Sequence, residues 1–262
     1  MLALYTAATG MAAQELAVQV ISNNIANMST TGYKRQRAEF QDLLYEHRTQ
    51  IGTQTSNQGN ILPVGVELGS GVKTVGTPRL MTQGSLAQTT NSLDVAIQGI
   101  GFFKILLPDG TFAYTRDGSF NLDSQGRIVT AAGNVVQPGI TLPANASSIT
   151  INQQGQISIT VPGTTTPTLV GTFTLTRFLN EAGLQAIGSN LLVETPAAGP
   201  PQDGQPNIDG YGSLLQGNLE QANVDAVTEI TNLITAQRAY EMNSKVITTT
   251  DQMLQTNVAL IR

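Results

Sequence analysis

A single histidine limits the chemistry that this sequence can perform. His47 follows Glu46 in a polar stretch, where an acid–base or ligand role competes with that of a solvent-exposed loop residue. The chain contains no cysteine, which excludes thiolate metal sites, disulfides and a cysteine nucleophile. It also has no G-x-S-x-G nucleophile elbow. We therefore predict a protein that is not an enzyme and that uses neither a metal nor another cofactor.

A small basic cluster is the second candidate for chemistry. Lys34, Arg35 and Arg37 could bind phosphate or nucleic acid, but a solvated helix face or a salt-bridging contact between subunits is the better interpretation. The chain carries 18 acidic and 13 basic residues, so its net charge of −5 disfavours binding to duplex nucleic acid. Tryptophan is absent and aromatic residues are scarce, which disfavours stacking on single strands. The sequence predicts no nucleic-acid partner.

Targeting and membrane signals are also missing from the sequence. The first basic residue is Lys34, and polar residues interrupt the apolar N-terminal stretch, so no cleavable signal peptide is expected. No stretch reaches the roughly 18 apolar residues that a membrane span requires. We expect no membrane insertion, and either a cytoplasmic location or export by a route that reads no cleaved signal.

The two ends of the chain show helical periodicity. Residues 1–33 contain one charged residue, Glu15, and an apolar stripe with alternating spacings of three and four. The stripe consists of Leu4, Ala7, Met11, Gln14, Val18, Ile21 and Ile25. It predicts a helix over about residues 4–28, which residues 29–32 (STTG) would stop.

The C-terminal end continues the same alternation over a longer stretch. Its stripe consists of Leu219, Asn223, Ala226, Ile230, Leu233, Gln237, Tyr240, Ser244, Ile247, Asp251, Leu254, Val258 and Ile261. A single helix over residues 219–261 exceeds the length of ordinary globular helices, so it predicts coiled-coil or assembly packing. Polar residues on such a stripe fix register or face further partners.

The middle of the chain has the period of two that is typical of strands. An Asp117-Gly118 turn predicts one hairpin, residues 123–126 (DSQG) predict a second turn, and residues 149–151 are expected to pair with residues 157–161. These short strands indicate an all-β domain. Residues 47–71 and 195–212 show little periodicity and are predicted to be irregular, and a long irregular loop is usually functional or disordered.

Together these patterns predict an α+β fold with a discontinuous helical domain. Residues 1–33 and 219–262 would form an inner coiled-coil core, residues 34–82 a connecting segment with an extended stretch, and residues 83–218 an inserted outer β-domain. Two helices cannot bury stripes of this length on each other and also explain a charged fraction of only 12%. Neighbouring copies would complete the burial, which predicts a homopolymer.

The predicted assembly interface follows the two stripes and an asparagine cluster. Three asparagines within residues 23–27 are poor helix formers, so they indicate either a fraying last turn or hydrogen bonds to neighbouring subunits. The predicted interface residues are Leu4, Met11, Val18, Ile21, Asn23, Asn24, Ile25, Asn27, Ile230, Leu233, Gln237, Tyr240, Ser244, Ile247, Leu254, Val258 and Ile261.

Four motifs resemble those of the flagellar axial proteins of the rod and hook. They are residues 22–27 (SNNIAN) followed by 31–34 (TGYK), residues 94–103 (DVAIQGIGFF), residues 114–120 (YTRDGSF), and residues 236–245 (AQRAYEMNSK) followed by 249–254 (TTDQML). The resemblance covers essentially the whole chain. Length and motifs are most similar to the distal rod member of the family, because hook proteins are longer in the middle. The similar proximal rod member lacks the extended segment at about residues 46–63.

The resemblance implies a structural subunit of a hollow, rigid helical drive shaft that transmits torque from motor to hook. It implies export by the flagellar type III apparatus without a cleaved signal, and a location in the basal body, where the rod spans the periplasm. Its implied partners are other copies, proximal rod proteins, hook protein, and the L-ring and P-ring bushing proteins. The segment at about residues 46–63 would stiffen the rod. A proximal rod or hook-type subunit, or a secreted fibre protein, remains the alternative.

Overall fold

The computed structural model describes residues 2–49, 51, 64–143, 145–146, 148–162 and 166–260, the last four by their backbone. The chain divides into two compact units. The helical unit comprises Met1–Ile25, Gln36–Pro78 and Asp225–Arg262, and the β unit comprises Ala26–Arg35 and Arg79–Val224. This confirms an α+β fold in which a β-rich region is inserted between two terminal helices.

The helical unit contains two long helices and a two-stranded ribbon. Helix α1 spans Leu2–Ala26 and helix α2 spans Ala226–Leu260. The ribbon consists of β1 (Glu39–Asp42), β2 (Tyr45–Thr49), β3 (Val66–Gly69) and β4 (Val72–Gly76). Antiparallel pairs β1–β4 and β2–β3 follow each other along the ribbon. Among the described helical residues, no stretch is long and apolar enough to cross a bilayer.

Helix α2 begins seven residues later than the periodicity predicted. Leu219 lies in a strand and pairs with Ala87, so the apolar stripe does not continue as helix before residue 226. Asp225 starts the helix instead, because its carboxylate accepts hydrogen bonds from the Val227 amide and the Thr228 hydroxyl. Strand pairing and this cap override a sequence pattern that fits a helix equally well. At the other end, Ile261 lies outside the described residues.

The β unit is built almost entirely of short antiparallel strands. Its largest sheet has the order β16-β17-β8-β7-β11-β10-β9, and β15 connects β7 to β18. Its strands are β7 (Phe102–Leu106), β8 (Phe112–Thr115), β9 (Asn121–Leu122), β10 (Ile128–Val129), β11 (Val135–Val136), β15 (Leu175–Arg177), β16 (Gln185–Gly188), β17 (Leu191–Val193) and β18 (Gln202–Gly204). A 3₁₀ turn, Glu181–Gly183, precedes β16.

Smaller sheets complete the β unit. Strands β12 (Ser148–Ile151), β13 (Gln156–Thr160) and β14 (Thr168–Thr172) form a three-stranded sheet. Two further pairs join β5 (Leu86–Gln88) to β20 (Asn218–Glu220) and β6 (Val95–Gln98) to β19 (Ser213–Gln216). Both pairs hold the chain that enters the unit beside the chain that leaves it, as an inserted domain requires.

Strand β7 separates two apolar clusters. Side chains alternate across a strand, so Phe103 points into the larger cluster and Phe102 into the smaller one. Phe103 lies edge-on to Phe120, with ring centroids 5.0 Å apart, and edge-on to Phe173 at 5.9 Å. Tyr114 packs with Phe102 in the second cluster. Both faces of this strand are therefore buried within the β unit.

One predicted hairpin is wrong, and two other strand predictions are confirmed. Strand β8 ends at Thr115, and Ser119 forms a bridge to Asp94 rather than to β8. A Cβ atom at Gly118 would collide with the Val95 carbonyl oxygen, so this glycine allows two backbone segments to approach closely and does not form a hairpin turn. Strands β9 and β10 do pair across the predicted turn, and β12 pairs with β13 as expected.

Both stretches that the sequence predicted to be irregular contain strands. The described part of residues 47–71 contains the end of β2 and all of β3, and the side chains of these strands are mostly exposed on both faces. Such a ribbon has no buried face and therefore no alternation for the sequence to reveal. In residues 195–212, β18 pairs with β15. Residues 50 and 52–63, which include most of the predicted stiffening stretch, lie outside the described residues.

Candidate assembly interface

The residues predicted on α1 flank its buried side. The side chains buried within the chain are Ala7, Ala13, Val20 and Asn24. The predicted Leu4, Met11, Val18, Ile21, Ile25 and Asn27 are half-buried, and Asn23 is exposed. The buried positions are small apart from Val20 and Asn24, so α1 lies close to its neighbours in the helical unit while its larger side chains remain partly accessible.

Asn24, a residue of the predicted interface, is buried within its own chain. Its side chain is only 1% exposed, and its amide donates to the Gln36 carbonyl at 2.8 Å and to Glu229 Oε2 at 3.3 Å. Its Oδ1 accepts the Gln36 amide at 2.9 Å. Asn24 ties α1 to α2 and to the segment that leads to the ribbon.

Gly10 marks the close approach of the two helices. A Cβ atom at this position would lie 2.9 Å from Asn243 Nδ2 of α2. Together with Glu229 and Ala236, which are buried, this contact defines the side of α2 that packs inside the chain. These positions precede the predicted Ile230, Gln237 and Ser244 by one residue, so the predicted stripe lies beside the packed side.

The predicted stripe on α2 is consequently exposed for much of its length. Ile230, Gln237, Tyr240 and Leu254 are exposed, while Leu233, Ser244 and Ile247 are half-buried. Ile230 keeps 48% of its accessible surface. The side chain of Val258, like all of Ile261, falls outside the described part of the chain.

Further large apolar side chains are exposed on α2 beyond the predicted stripe. They are Val227, Ile234, Met242, Val246 and Met253, of which Val227 is 74% exposed and Met242 64% exposed. A single 3/4 stripe could not reveal them, because α2 is apolar on more than one side. A helix of this kind is typical of packing against several neighbours.

A buried ion-pair cluster lies in the β unit. Lys34 Nζ is 2.5 Å from Glu220 Oε1, and Arg116 Nε is 3.2 Å from Glu220 Oε2. Lys34 also donates to the Thr82 carbonyl, and Arg116 donates to the carbonyls of Gly99 and Gly101 at 2.8 and 2.7 Å. All three charged side chains are almost fully buried. The sequence pattern favoured a solvated face or a contact between subunits for Lys34, and its burial beside Glu220 corrects that interpretation.

Burial governs the electrostatics of this cluster. Loss of solvent lowers the pKa of Lys34, and Glu220 opposes that effect by favouring the ammonium form. Burial also lowers the pKa of the Arg116 guanidinium, again opposed by Glu220. Burial raises the pKa of the nearby Glu181 carboxyl. One carboxylate, Glu220, therefore compensates two desolvated cations, and its removal would leave both without a counter-ion in direct contact.

The cluster joins the two ends of the inserted β unit. Glu220 lies close to the point where the chain leaves the β unit, and its backbone carbonyl accepts a hydrogen bond from the Gly32 amide at 2.8 Å. Nearby, Asn223 Oδ1 accepts the Arg35 amide, and Asn223 Nδ2 donates to the Leu80 carbonyl. Entry and exit are thus held together by both backbone and side chains. The arrangement is structural, since its polar atoms are directed at one another.

Family comparisons agree with the order of these elements. Residues 4–34 match the model "Flagella basal body rod protein", residues 96–159 match "Flagellar hook protein FlgE/F/G D1 domain", and residues 215–260 match "Flagellar basal body rod FlgEFG protein C-terminal". The first and last matches coincide with the helical ends, and the middle match lies in the β unit.

Relatives that match this chain over nearly their whole length are also flagellar basal-body rod proteins. The chain is 57% identical to the flagellar basal-body rod protein FlgG of Caulobacter vibrioides over 97% of both chains. It is 47% identical to FlgG of Borreliella burgdorferi over 97% of this chain and 96% of that protein, and 37% identical to FlgG of Bacillus subtilis over 99% and 98%. On this basis the chain belongs to the FlgG family of flagellar basal-body rod proteins, and it is a structural component of the rod.

Proposed function

We propose that this chain is the subunit of the distal rod, and that it polymerises into a hollow, rigid helical shaft that transmits motor torque to the hook. Its role is mechanical and not catalytic. The observation that carries the proposal is the row of large apolar side chains left exposed on α2, represented by Val227, Ile230 and Met242. Water contact with so many apolar groups is unfavourable, and neighbouring copies can remove it.

The proposed interface combines the predicted stripes with these exposed residues. On α1 it includes Leu4, Met11, Val18, Ile21, Asn23 and Ile25, and just beyond the end of the helix it includes Asn27. On α2 it includes Ile230, Leu233, Gln237, Tyr240, Ser244, Ile247, Leu254 and Val258, together with the exposed apolar residues. The predicted Ile261, which lies outside the described residues, is also part of the proposed interface. Each contact would be modest, and repetition along the polymer would supply the total stability.

The proposed arrangement places the terminal helices in the inner core of the tube and the β unit outside. The segment at about residues 46–63, joined to the ribbon, would wedge against neighbours and make the shaft stiff. The ribbon supports this role because its strands are exposed on both faces and therefore accessible to other copies.

Other partners follow from the place of a distal rod. We propose that the chain joins proximal rod proteins at one end and hook protein at the other, and passes through the L-ring and P-ring bushing proteins. It would leave the cell through the flagellar type III export apparatus without a cleaved signal and span the periplasm. Terminal helices that become fully ordered only on assembly would favour export and delay polymerisation.

Polymerisation of two variants tests the proposal. Ile230→Asp places a charge on the exposed face of α2, whereas Ile230→Leu keeps it apolar. We expect the wild type and I230L to form sedimentable tubes visible by electron microscopy, and I230D to remain dispersed. Circular dichroism of the dispersed chains should be unchanged, since Ile230 is largely exposed. Tubes formed equally well by I230D would contradict the proposed role of this face.

Limited proteolysis tests whether the ends depend on assembly. We expect the dilute chain to be trimmed to a core near residues 40–220, and the polymer to resist. Equal resistance of the ends in both states would mean that the two helices form a self-sufficient coiled coil.

A further inference from the structure

A positively charged cavity in the β unit is not explained by the functions described so far. The cavity has a volume of about 210 Å³. It lies between the segment that follows α1 and the turn that joins β16 to β17. The side chains relevant to its chemistry are Tyr33, Lys34, Arg79, Arg116, Ser189 and Asn190.

One wall of the cavity is a turn with an uncommon backbone. Ser189 and Asn190 have φ angles of 51° and 59°, the left-handed values of a type I′ hairpin turn, which glycine usually supplies. Asn190 Nδ2 donates to the Thr31 carbonyl at 3.1 Å, and Thr115 Oγ1 donates to the Asn190 carbonyl at 2.8 Å. These bonds hold the turn against the opposite wall, so the cavity is a fixed feature of the β unit.

The charges that line the cavity are unbalanced. Lys34 and Arg116 share the carboxylate of Glu220, as described above. Arg79 has no carboxylate within ion-pair distance among the described residues, and its partial burial lowers the pKa of its guanidinium. Glu181 lines a neighbouring cavity with Lys34 and Arg116 and does not line this one. Even when Glu181 is counted, positive charge remains in excess.

An anion bound in this cavity would offset the unfavourable desolvation of Arg79 in the isolated chain. Partial burial removes water from the Arg79 guanidinium, which is unfavourable, and among the described residues no ion pair offsets that loss. A guanidinium binds a carboxylate through two parallel hydrogen bonds, which suits Arg79 as the principal donor. The volume admits one acidic side chain and is smaller than the roughly 300 Å³ at which pockets for small-molecule ligands begin.

We propose that this cavity receives the carboxylate of an aspartate or glutamate side chain from a second copy of the chain. The proposal rests on the proposed polymer and adds a specific polar contact to its apolar helix packing. Complementary groups are present on the chain itself. Glu15, Asp209 and Glu241 are exposed, and among the described residues none of them has an ion-pair partner.

Cross-linking of an Arg79→Lys variant tests the contact directly. A carbodiimide joins an amine to a carboxylate as an amide only when the two groups are in contact. Polymer assembled from equal amounts of ¹⁴N- and ¹⁵N-labelled R79K should yield mixed-label peptides that link the amine introduced at position 79 to one acidic residue. The intrachain pair Lys104–Asp203, with 2.8 Å between its charged atoms, serves as the positive control. Links at Lys104 without mixed-label links at position 79 would overturn the proposal.

Assembly of a neutral variant provides the second measurement. Arg79→Gln removes the charge, and Arg127→Gln removes a charge of the same sign from a partly exposed surface pair with Asp123 in the same unit. We expect R79Q to raise the critical concentration for polymerisation about tenfold, and R127Q to change it less than twofold. Equal critical concentrations for R79Q and wild type would contradict the proposed carboxylate contact but not the proposed polymer. A wild-type chain that never polymerises would contradict the proposed function itself.

Discussion

The two compact units of the chain bury different kinds of side chain. In the β unit, Phe103, Phe120 and Phe173 contact one another and are at most 1% exposed. In the helical unit, the buried apolar residues among those described are three alanines and Val20, while large apolar residues of α2 stay exposed. A buried phenylalanine contributes roughly 1.5–3 kcal/mol through burial, far more than an alanine.

This difference indicates that the two units have different roles. The β unit buries two clusters of large apolar side chains and holds its own ends together through Glu220, so it has the features of a domain that folds by itself. The helical unit satisfies its polar groups internally, through Asn24 for example, but leaves apolar surface for other chains. Its stability is therefore expected to depend on assembly.

Truncation of a core aromatic residue is expected to have the largest effect. Phe103→Ala should lower the free energy of unfolding by about 3–5 kcal/mol, because it leaves a cavity beside the rings of Phe120 and Phe173. Leu179, which is 93% exposed in the same unit, provides the control, and L179A should change stability by less than about 0.5 kcal/mol. Urea denaturation of the dispersed chains measures both. Similar losses of unfolding free energy in F103A and L179A would contradict a core that stabilises the β unit by itself.

Neutralisation of the buried carboxylate comes next. Glu220→Gln should cost about 3 kcal/mol, because Lys34 and Arg116 lose their counter-ion within a desolvated site. Glu67→Gln removes one partner of the exposed His47–Glu67 pair of the ribbon, in which His47 Nδ1 lies 3.2 Å from Glu67 Oε1, and should cost less than about 1 kcal/mol. Thermal unfolding followed by circular dichroism compares the two variants. An equal loss in both would mean that the buried cluster does not secure the β unit.

A pair of glycine substitutions compares backbone packing in the two units. Gly118→Ala should destabilise by about 1–3 kcal/mol, since its Cβ would collide with the Val95 carbonyl oxygen. Gly76→Ala in the ribbon meets no heavy atom within 4 Å and should be nearly neutral. Midpoints of urea denaturation give the comparison. A tolerant Gly118 would show that the β unit is less tightly packed than the structure indicates.

The smallest effect is expected at the start of α2. Asp225→Ala removes the helix cap, whereas Asp225→Asn keeps a capping side chain. The Thr228 hydroxyl and the Val227 amide hold the pKa of the Asp225 carboxyl below its usual range. The cap therefore stabilises α2 above about pH 4, and this contribution is lost as the pH falls through the lowered pKa.

Amide hydrogen exchange in the first turn of α2 measures this effect. We expect faster exchange in D225A than in D225N near neutral pH, and convergence of D225A with the wild type in acid. Exchange that is the same in all three proteins at neutral pH would show that the cap does not stabilise this end of the helix.

Much of the fold was predictable because periodicity is a local property. The 3/4 spacing predicted α1 to within two residues at each end, and the alternation around β9–β10 and β12–β13 predicted their pairing. The Asp117-Gly118 hairpin failed because the same dipeptide also suits a close backbone approach. The ribbon was missed because strands without a buried face show no alternation.

The candidate interface was predictable only in outline. The sequence indicated that α2 is apolar and long enough for assembly. It did not indicate that the packed side lies one position earlier, at Glu229, Ala236 and Asn243. Lys34 was noticed as part of a basic cluster, but its partner Glu220 is 186 residues away, and no local pattern connects them.

By itself, the sequence determined the helical ends, the β-rich middle and the absence of thiol chemistry, because residue type and local spacing decide these properties. Only the tertiary structure decided which side of α2 is buried and which cations share a carboxylate. Several sides of α2 are apolar enough to pack, and the choice depends on the shape of α1 at Gly10. Likewise, burial of Glu220 between two cations requires β20, the end of β8 and the segment after α1 to meet, which is a long-range consequence of folding.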